Sequence, residues 1–417
     1  MAAAPPAPAG LREQTAKTVF MLDHAARGTA LFLLPLLMAI AAKSSVLVAS
    51  VAALFCIASA ALRQGSLGAA IRSLLPERSV ALSLALCFIA YATASIIWSV
   101  DRAHTVHGLG EIAIVLAASW VLGVALRRFR DDRITRYICW SIILCSVVIL
   151  FEVHFDMPLR RLAGSRPETP QFKRAVEALT MMAAPVLMAA FQRRPDAIAW
   201  AAAIILAIVA YVVDSGASLL ALIIALASLA IARFSVDALR RLGLIVTLAL
   251  LATAPLVGDF FDVAIPKIGN AALIRRHIDA RIPIWRAHGW LVTQHPVLGL
   301  GFDAATDEST PPLLKTGPAD LREVIPAHSH HFFLQIWVEL GVIGALLCGA
   351  LIWSAFQRIA RAPPDRQTAL LIFFLSAQAI ALVAHSAWQG AWLAAAGASL
   401  ALINVAYPAR PDADARA

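Results

Sequence analysis

Long continuous apolar runs constrain this chain more than any other feature. The 417 residues are 60% hydrophobic and only 15% charged, and the apolar residues are grouped in runs rich in Ala, Leu and Ile. A helix that crosses a bilayer needs about 20 such residues, and about twelve runs approach that length. The sequence therefore predicts an all-α polytopic membrane protein, with spans at 28–43, 45–62, 79–98, 107–126, 135–154, 174–192, 196–213, 216–233, 240–257, 329–356, 366–384 and 388–406.

The same runs predict five parts along the chain. The first 18 residues lack an apolar core, which is typical of a cytoplasmic tail and not of a cleaved signal peptide. All five cysteines fall inside apolar runs, so we expect no disulfide framework and no metal-binding Cys pair. The predicted parts are the tail 1–27, transmembrane helices 1 to 9 in 28–257, a large loop with helices in 258–328, transmembrane helices 10 to 12 in 329–406, and the tail 407–417.

Loop charges predict the orientation of the chain. Basic residues gather in alternate loops, and the positive-inside rule places those loops in the cytoplasm. With an even number of spans, both termini then lie in the cytoplasm and the loop 258–328 lies on the outer side. The net charge of +9 reflects topology and anionic partners rather than nucleic acid. The cytoplasmic set comprises Arg63, Arg72, Arg78, Arg127, Arg128, Arg130, Arg133, Arg193, Arg194, Arg233, Arg240, Arg241, Arg358, Arg361 and Arg366.

The outer loops contain basic residues that oppose this orientation signal. A guanidinium group matches phosphate oxygens with two parallel hydrogen bonds, so we interpret the group as a phosphate or pyrophosphate site. For any single arginine, pairing with a nearby acidic residue or a lipid head group is the alternative. The set comprises Arg160, Arg161, Arg166, Lys173 and Arg174 near 155–174, and Arg275, Arg276, Arg281 and Arg286 in the loop 258–328.

A polar constellation begins the predicted tenth span. His331, Gln335 and Glu339 are spaced four apart and would share one helix face, whereas Gly341 and Gly344 would allow tight helix packing on another. Ionisable residues in a membrane helix indicate a functional site. A histidine at a helix N-terminus beside arginines is expected to stay neutral, as a general base must.

The histidines at this point of the chain have three interpretations. Zinc ligation is disfavoured, because the adjacent histidines point to different sides of a helix and no HExxH spacing exists. A structural role is favoured for His328, and a catalytic base for one of the pair His330 and His331. The chain has no P-loop, dinucleotide-binding or DxD motif, so we expect no nucleotide, no cofactor and no metal. The zinc set would be His328, His330 and His331 with Asp303 or Asp307.

The segment from His330 resembles the signature of bacterial O-antigen ligases, a histidine and a polar residue followed by a GxxG element. About forty residues carry the motifs, and nearly the whole chain agrees with the family in layout. A second segment is similar to the one that precedes the signature in that family, and a third is a weaker match. In order, the three read His330-His331-x-x-Leu334-Gln335-x-x-x-Glu339-x-Gly341-x-x-Gly344; Arg281-x-x-x-Trp285 with His295-Pro296-x-x-Gly299-x-Gly301; and Trp98-Ser99-Val100-Asp101.

That resemblance implies a metal-independent glycosyltransferase of the Gram-negative inner membrane, with its active site facing the periplasm. Such ligases transfer O-antigen from undecaprenyl pyrophosphate to a sugar hydroxyl of lipid A–core, with inversion at the anomeric carbon. By similarity, His330 is the base that deprotonates the acceptor, and Arg281 contacts the donor pyrophosphate. The other outer basic residues, together with Gln335 and Glu339, are then candidates for substrate binding.

Two departures from the family pattern leave choices open. His331 stands where Asn, Ser or Gln is usual, so both histidines stay candidates for the base, with His330 favoured by the alignment of the motif. The segment Asp214-Ser215-Gly216-Ala217 lacks the arginine of a Ser-Arg-Gly element. Its role would fall to Arg160, Arg161, Lys173 or Arg174.

The acceptor is the least constrained part of this interpretation. An O-antigen polymerase and a protein O-oligosaccharyltransferase of the same superfamily share the motif and the donor. A transporter of lipid-linked oligosaccharide is a more distant alternative, because carboxylates inside the spans are sparse and the basic residues gather on the outer side. A purely structural membrane protein is the least favoured.

Overall fold

The computed structural model describes residues 9–41, 44–76, 78–127, 133–267, 278–324, 328–384 and 386–408. Those residues form helices and no strands, which confirms the predicted all-α class. They divide into two compact units. The first is drawn from residues up to 76, from 114–213 and from 390–408, and the second from 78–113 and 214–389.

The α-helices of the described residues can be numbered along the chain. They are α1 (Ala9–Gly28), α2 (Leu34–Ile40), α3 (Ser45–Gln64), α4 (Leu67–Leu74), α5 (Val80–Ala94), α6 (Arg102–Leu126), α7 (Ile134–His154), α8 (Pro158–Leu162), α9 (Lys173–Met181), α10 (Ala183–Ala190), α11 (Ala197–Val212), α12 (Gly216–Phe234), α13 (Val236–Thr253), α14 (Val257–Ala264), α15 (Ile282–Gln294), α16 (Thr310–Leu314), α17 (Phe332–Ala360), α18 (Pro364–Ala381) and α19 (Gly390–Ala406).

Eight helical stretches in the described part of the chain are long and apolar enough to cross a membrane. The chain is therefore a membrane protein of several spans. The other predicted spans coincide with shorter helices: α9 and α10 together, then α11, α18 and α19. The eight stretches are Glu13–Ile40, Ser45–Gln64, Val80–Ile97, Arg102–Leu126, Ile134–His154, Gly216–Phe234, Val236–Lys267 and Phe332–Ala360.

The first helical stretch begins well before residue 28, where the sequence analysis placed the first span. It runs from Glu13 to Ile40 through the π-helical segment Thr29–Leu33. Its polar residue Asp23 is buried, accepts a hydrogen bond from Ser59 Oγ (2.5 Å) and pairs with Arg63. A carboxylate with both a hydroxyl donor and a guanidinium partner can be buried against α3, so the polar residues do not end the helix.

Two prolines set helix boundaries that the sequence analysis placed elsewhere. The predicted span 174–192 is two helices, because Pro185 has no N–H to bond the carbonyl of Met181 and its ring crowds that carbonyl. The helix predicted over Arg275–Gln294 with a kink at Pro283 instead begins at Ile282, after Arg281. Pro283 occupies the first turn, where no N–H is needed. Residues 275–277 lie outside the described part.

Helix α17 is interrupted at Gly341, whose backbone (φ 61°, ψ −162°) is not helical. Such a break leaves carbonyl groups of the preceding turn without donors from their own helix. The N–H groups of Leu300 and Gly301 supply those donors, to the carbonyls of Val338 (2.9 Å) and Glu339 (2.8 Å). A neighbouring loop therefore completes the hydrogen bonding of the broken helix.

Glycines allow the loop and the helix to approach this closely. A Cβ atom on Gly299 would collide with the backbone of Glu339 and Leu340, and one on Gly341 with the carbonyl of Val297. Both glycines also have positive φ angles, which only glycine adopts without cost. The role of Gly341 is thus to break the helix, whereas the sequence analysis predicted helix–helix packing.

The Trp98–Asp101 segment holds the same loop. The N–H of Val100 donates to the carbonyl of Leu300 (2.9 Å), and Trp98 Nε1 donates to the carbonyl of Leu298 (3.2 Å). A Cβ atom on Gly301 would lie 2.6 Å from Ser99 Oγ. The weaker motif Trp98–Asp101 and the motif residues Gly299 and Gly301 therefore meet in one structural element.

Replacing Gly299 with Ala tests whether this close approach stabilises the fold. We expect a loss of about 3 kcal/mol in the free energy of unfolding, from the positive φ and the overpacking together. Gly123→Ala in α6 is the matched control, since its Cβ would meet nothing within 4 Å. Thermal unfolding of the two variants in the same detergent is the measurement. Equal melting temperatures for the two would contradict the role given to Gly299.

Candidate active site

The carboxylate of Glu339 lies at the centre of the polar constellation and is fully buried. Its Oε1 accepts hydrogen bonds from Gln335 Nε2 (2.9 Å) and the N–H of Ala305 (3.4 Å). Its Oε2 accepts from the N–H of Asp303 (2.9 Å) and from Trp388 Nε1. Four donors surround the carboxylate, so Glu339 connects α17 to the segment 303–305 and to Trp388. Its buried oxygens are not exposed to a ligand.

Gln335 is also fully engaged. Besides Glu339, its amide nitrogen donates to Ser386 Oγ (3.0 Å), and its amide oxygen accepts from the N–H of Ala387 (2.8 Å). The side chain is 1% exposed. Gln335 and Glu339 are hydrogen-bonded neighbours on one helix face, as the spacing predicts. Their geometry favours a structural role over the predicted contact with substrate.

His331 caps the N-terminus of α17. Its backbone is extended, and its Nδ1 accepts a hydrogen bond from the N–H of Leu334 (3.1 Å). The ring is 5% exposed and lies edge-on to Trp285, with 6.1 Å between ring centroids. Burial lowers the pKa of His331 to about 4, so the ring is neutral at physiological pH, as expected from the sequence, but its Nδ1 lone pair is used as a cap.

His330 has the geometry of a base. Its Nδ1 lies 3.3 Å from the carbonyl of Ala384, and a carbonyl can only accept, so Nδ1 carries the proton and Nε2 carries the lone pair. The ring is half-buried and contacts the His328 ring, with 4.0 Å between centroids and an angle of 46° between the ring planes. Its φ of 52° is unusual for a residue other than glycine, and strain of this kind concentrates at functional sites.

Helix α15 contacts the histidine segment through Trp285. Arg281 occupies the N-cap position of the helix, and Trp285 follows one turn later on the same face. Trp285 is 1% exposed and its Nε1 donates to the carbonyl of Ser329 (2.9 Å). This bond fixes the face that begins at Arg281 against the segment that carries His330.

Arg286, the other described arginine of the loop 258–328 that was predicted to bind phosphate, is held by aspartates. Arg286 lies 2.8 Å from Asp320, 3.5 Å from Asp259 and 3.7 Å from Asp262. These ion pairs favour the structural alternative for Arg286 over phosphate binding. Arg275 and Arg276, the remaining predicted phosphate ligands here, lie outside the described residues.

Two basic residues of the first unit are likewise held within it. Arg160 is 3% exposed, donates to the carbonyls of Ala39 (2.7 Å) and Arg166 (3.0 Å), and lies 5.1 Å from the centroid of Phe172. Arg161 pairs with Asp156. The Arg166 side chain is exposed, and Lys173 and Arg174 are half-buried near the start of α9. The structure therefore favours a structural role for Arg160 and Arg161.

Asp303 is a polar residue of the site region that the sequence analysis considered only as a zinc ligand. Its carboxylate lies 3.4 Å from His104 Nε2, and its backbone has a φ of 51°. Burial raises the pKa of Asp303 to about 6, against the lowering effect of His104 and with a further rise from Glu111. No group of three or more His, Cys, Asp or Glu side chains in the described part of the chain could hold a metal ion.

Trp388 and Ala384 are site residues that sequence reasoning missed. Ala384 is the last residue of the predicted span 366–384 and Trp388 is the first residue of the predicted span 388–406, and the polar residues Ser386 and Gln389 lie beside them. That interruption of the apolar runs was the available signal. The interruption did not predict that Trp388 donates to Glu339 or that the carbonyl of Ala384 accepts from His330 Nδ1.

The helices long enough to cross a membrane, with a buried polar cluster around Glu339 next to the break in α17, define a membrane protein with a candidate active site. Residues 201–349, which include Arg281 and the segment from His330 to Gly344, match the family model described as O-antigen ligase. The match confirms the resemblance stated from the motif and supports a glycosyl-transferring enzyme.

Two curated relatives agree with this class. Over 121 residues the chain is 24% identical to a protein of Rickettsia conorii and 25% identical to one of Rickettsia felis, each described as a "putative polysaccharide ligase". Each match covers 27% of this chain and 28% of the relative. The likeness is thus confined to about a quarter of either protein.

Replacing Trp388 with Phe tests the support of the Glu339 carboxylate. The change removes one donor from a buried carboxylate, so we expect a loss of about 2 kcal/mol in the free energy of unfolding. Trp353→Phe, at a position in α17 that is 53% exposed, is the control and should cost little. Denaturant unfolding in mixed micelles measures both. A loss no larger for Trp388 than for Trp353 would remove the supporting role.

The raised pKa of Asp303 makes a pH-dependent contribution to stability. An unfolded Asp has a pKa of about 3.9, so between that value and about 6 the folded state holds more protons. This contribution is present below pH 4 and is lost as pH rises through 6. We therefore expect Asp303→Asn to lose less stability than wild type between pH 4 and 7. Parallel slopes of unfolding free energy against pH would contradict this assignment.

Proposed function

We propose that this protein is an O-antigen ligase, which transfers an O-antigen polysaccharide from undecaprenyl pyrophosphate to a sugar hydroxyl of lipid A–core. The observation that carries the proposal is the His330 Nδ1–Ala384 contact of 3.3 Å, within the part of the chain that matches the ligase family. A carbonyl accepts, so this contact places a proton on Nδ1, and the lone pair of the uncharged form of the ring is then on Nε2. A base and a cation are the two groups that this transfer requires.

His330 is the proposed general base. As the acceptor oxygen attacks the anomeric carbon, its proton moves to Nε2 of His330 and a new C–O bond forms. The bond between the anomeric carbon and the pyrophosphate oxygen breaks, and its electron pair leaves with the pyrophosphate. Attack opposite to the leaving group inverts the anomeric configuration. The proton shared between Nδ1 and the Ala384 carbonyl stabilises the imidazolium that results.

Arg281 is the proposed partner of the leaving group. Negative charge develops on the pyrophosphate in the transition state, and a guanidinium placed before the reaction begins stabilises that charge without reorganisation. Its place at the start of α15, fixed by the Trp285–Ser329 bond, supports this assignment. Arg166, Lys173 and Arg174 stay candidates for donor binding, as do Arg275 and Arg276.

The geometry of position 331 supports the choice of His330 over His331. His331 acts as an N-cap through Nδ1, and Asn and Ser, which the ligase signature usually has at this position, are among the preferred N-cap residues. Histidine at position 331 therefore preserves the helix cap, with a ring nitrogen as the acceptor in place of the side-chain oxygen of Asn or Ser. The resemblance and the capping geometry agree that position 331 supports the helix.

The proposed topology follows from the loop charges. We infer that both termini lie in the cytoplasm, that the loop 258–328 faces the periplasm, and that the site opens to both lipid-linked substrates from the inner membrane. An O-antigen polymerase or a protein O-oligosaccharyltransferase would use the same donor and the same base. The acceptor therefore has to be identified by experiment.

The test is transfer by purified protein reconstituted with undecaprenyl-pyrophosphate-linked O-antigen and lipid A–core, in EDTA and without nucleotide. We expect laddered lipopolysaccharide on a gel from wild type. Removing a general base costs about 100- to 10,000-fold in rate, so His330→Ala should make no visible ladder. His331→Asn keeps a capping acceptor and should retain the ladder, whereas His331→Ala should lose about 1 kcal/mol of stability.

Three other outcomes would change the assignment. A dead His331→Asn enzyme with an active His330→Ala enzyme would move the base to His331. Consumption of the donor only when a second lipid-linked glycan or a protein is supplied would indicate a polymerase or a protein glycosyltransferase. Folded wild type that consumes no donor with any of these acceptors would refute the proposed reaction.

A further inference from the structure

The backbone of the proposed base is held in a conformation that its residue type disfavours. His330 has a φ of 52°, which lies in the left-handed region that residues other than glycine seldom adopt. Such a conformation persists only when neighbouring contacts supply the free energy that it costs. The contacts around His330 therefore show which residues place its imidazole ring.

The two peptide planes on either side of His330 are each held by a hydrogen bond. A peptide unit is planar, so the backbone angles of His330 are defined by the orientations of those two planes. The carbonyl of the first plane belongs to Ser329 and accepts from Trp285 Nε1 (2.9 Å). The N–H of the second plane belongs to His331 and donates to Ser329 Oγ (3.2 Å). Ser329 therefore takes part in both of the bonds that fix this conformation.

The hydroxyl of Ser329 makes a second hydrogen bond to the same residue. It donates to the carbonyl of His331 (2.9 Å) while it accepts from the N–H of His331. One side-chain oxygen thus closes a turn that has His330 at its apex and leads directly into α17. Ser329 is 0% exposed, so the hydroxyl is shielded from bulk water, and hydrogen bonds are stronger in such surroundings.

We propose that Ser329 is a positioning residue for the general base, its hydroxyl holding His330 in the backbone conformation from which the ring reaches the carbonyl of Ala384 (3.3 Å). Without the hydroxyl, the plane between His330 and His331 loses its partner. The backbone of His330 then relaxes toward negative φ, which carries the ring away from that carbonyl. The inference rests on the proposed ligase function, and it assigns a role to a residue that the sequence analysis did not select.

The test compares two variants of the full-length protein in the reconstituted transfer assay. Ser329→Ala removes the hydroxyl, and Ser329→Thr retains it. Loss of one neutral hydrogen bond corresponds to about a fivefold change and loss of two to about 25-fold, so we expect kcat of Ser329→Ala to fall by about 5- to 25-fold. We expect KM to stay within about twofold of wild type, and Ser329→Thr to recover kcat to within about threefold.

The position of the ring can also be followed without substrate. Diethyl pyrocarbonate acylates an uncharged imidazole that it can reach, and tandem mass spectrometry assigns the label to one histidine. The His330 ring is half-buried, so we expect it to be labelled faster in Ser329→Ala than in wild type, and at the wild-type rate in Ser329→Thr.

Stability separates this role from a structural one. A hydroxyl that only stabilises the fold would lower the melting temperature of Ser329→Ala and leave kcat per folded molecule unchanged. Ser146→Ala is the matched control, since Ser146 is also 0% exposed and its Oγ has no hydrogen-bond partner among the described residues. It should change neither kcat nor the labelling of His330. If Ser329→Ala cannot be purified folded, Ser329→Cys replaces it, because a thiol forms weaker hydrogen bonds.

The outcomes distinguish this inference from the proposed function. Wild-type kcat in folded Ser329→Ala, or in its Cys replacement, would overturn the inference and leave the ligase intact. Equal loss of kcat in the Ala and Thr variants would also overturn it, in favour of a packing role. If folded wild type transfers no glycan, the proposed function fails, and the labelling then decides alone. Equal labelling of His330 in wild type and Ser329→Ala would show that the hydroxyl does not place the ring.

Discussion

Backbone carbonyl groups released at the break in α17 have to find donors, because a bilayer offers no water to satisfy them. The loop that contains Gly299 and Gly301 provides those donors, and it can do so only because neither glycine has a side chain. Once the loop is held there, the N–H groups of Asp303 and Ala305 reach the carboxylate of Glu339. The position of the buried carboxylate, and of the residues it gathers, therefore depends on the helix break.

Within this arrangement, some residues of the polar constellation have a structural role and His330 is proposed to have a catalytic one. Gln335 and Glu339 are buried and have their hydrogen-bonding groups occupied, and His331 caps the helix through Nδ1. The carboxylate of Glu339, the amide of Gln335 and Nδ1 of His331 therefore support the structure. At His330, the Nδ1–H group contacts the carbonyl of Ala384, which puts the lone pair of the uncharged ring on Nε2. His330 and His331 are thus distinguished by the role of Nδ1, which donates to a carbonyl in His330 and accepts from a backbone N–H in His331.

The arginines of the loops predicted to be outer show why a count of charges alone does not identify a phosphate site. Arg286 is neutralised by three aspartates, Arg161 by Asp156, and Arg160 is buried against backbone carbonyls and an aromatic ring. An arginine near acidic residues commonly forms ion pairs of this kind. For Arg281, the bond from Trp285 to the carbonyl of Ser329 holds its helix against the segment that carries His330, and this placement supports the proposal that Arg281 binds the leaving group.

The sequence by itself determined the class of the protein: long apolar runs require membrane helices, and the His330 and Arg281 motifs indicate the ligase resemblance that residues 201–349 bear out. These features depend on spacing along the chain, which a sequence displays. Tertiary structure decided that Glu339 contacts Trp388, that His330 contacts Ala384, and that Gly341 breaks its helix. Each joins residues from different segments, or sets a backbone angle through a neighbouring loop. Hydrophobic periodicity predicts which face of a helix is buried, but it does not predict which polar atom of another segment contacts that face.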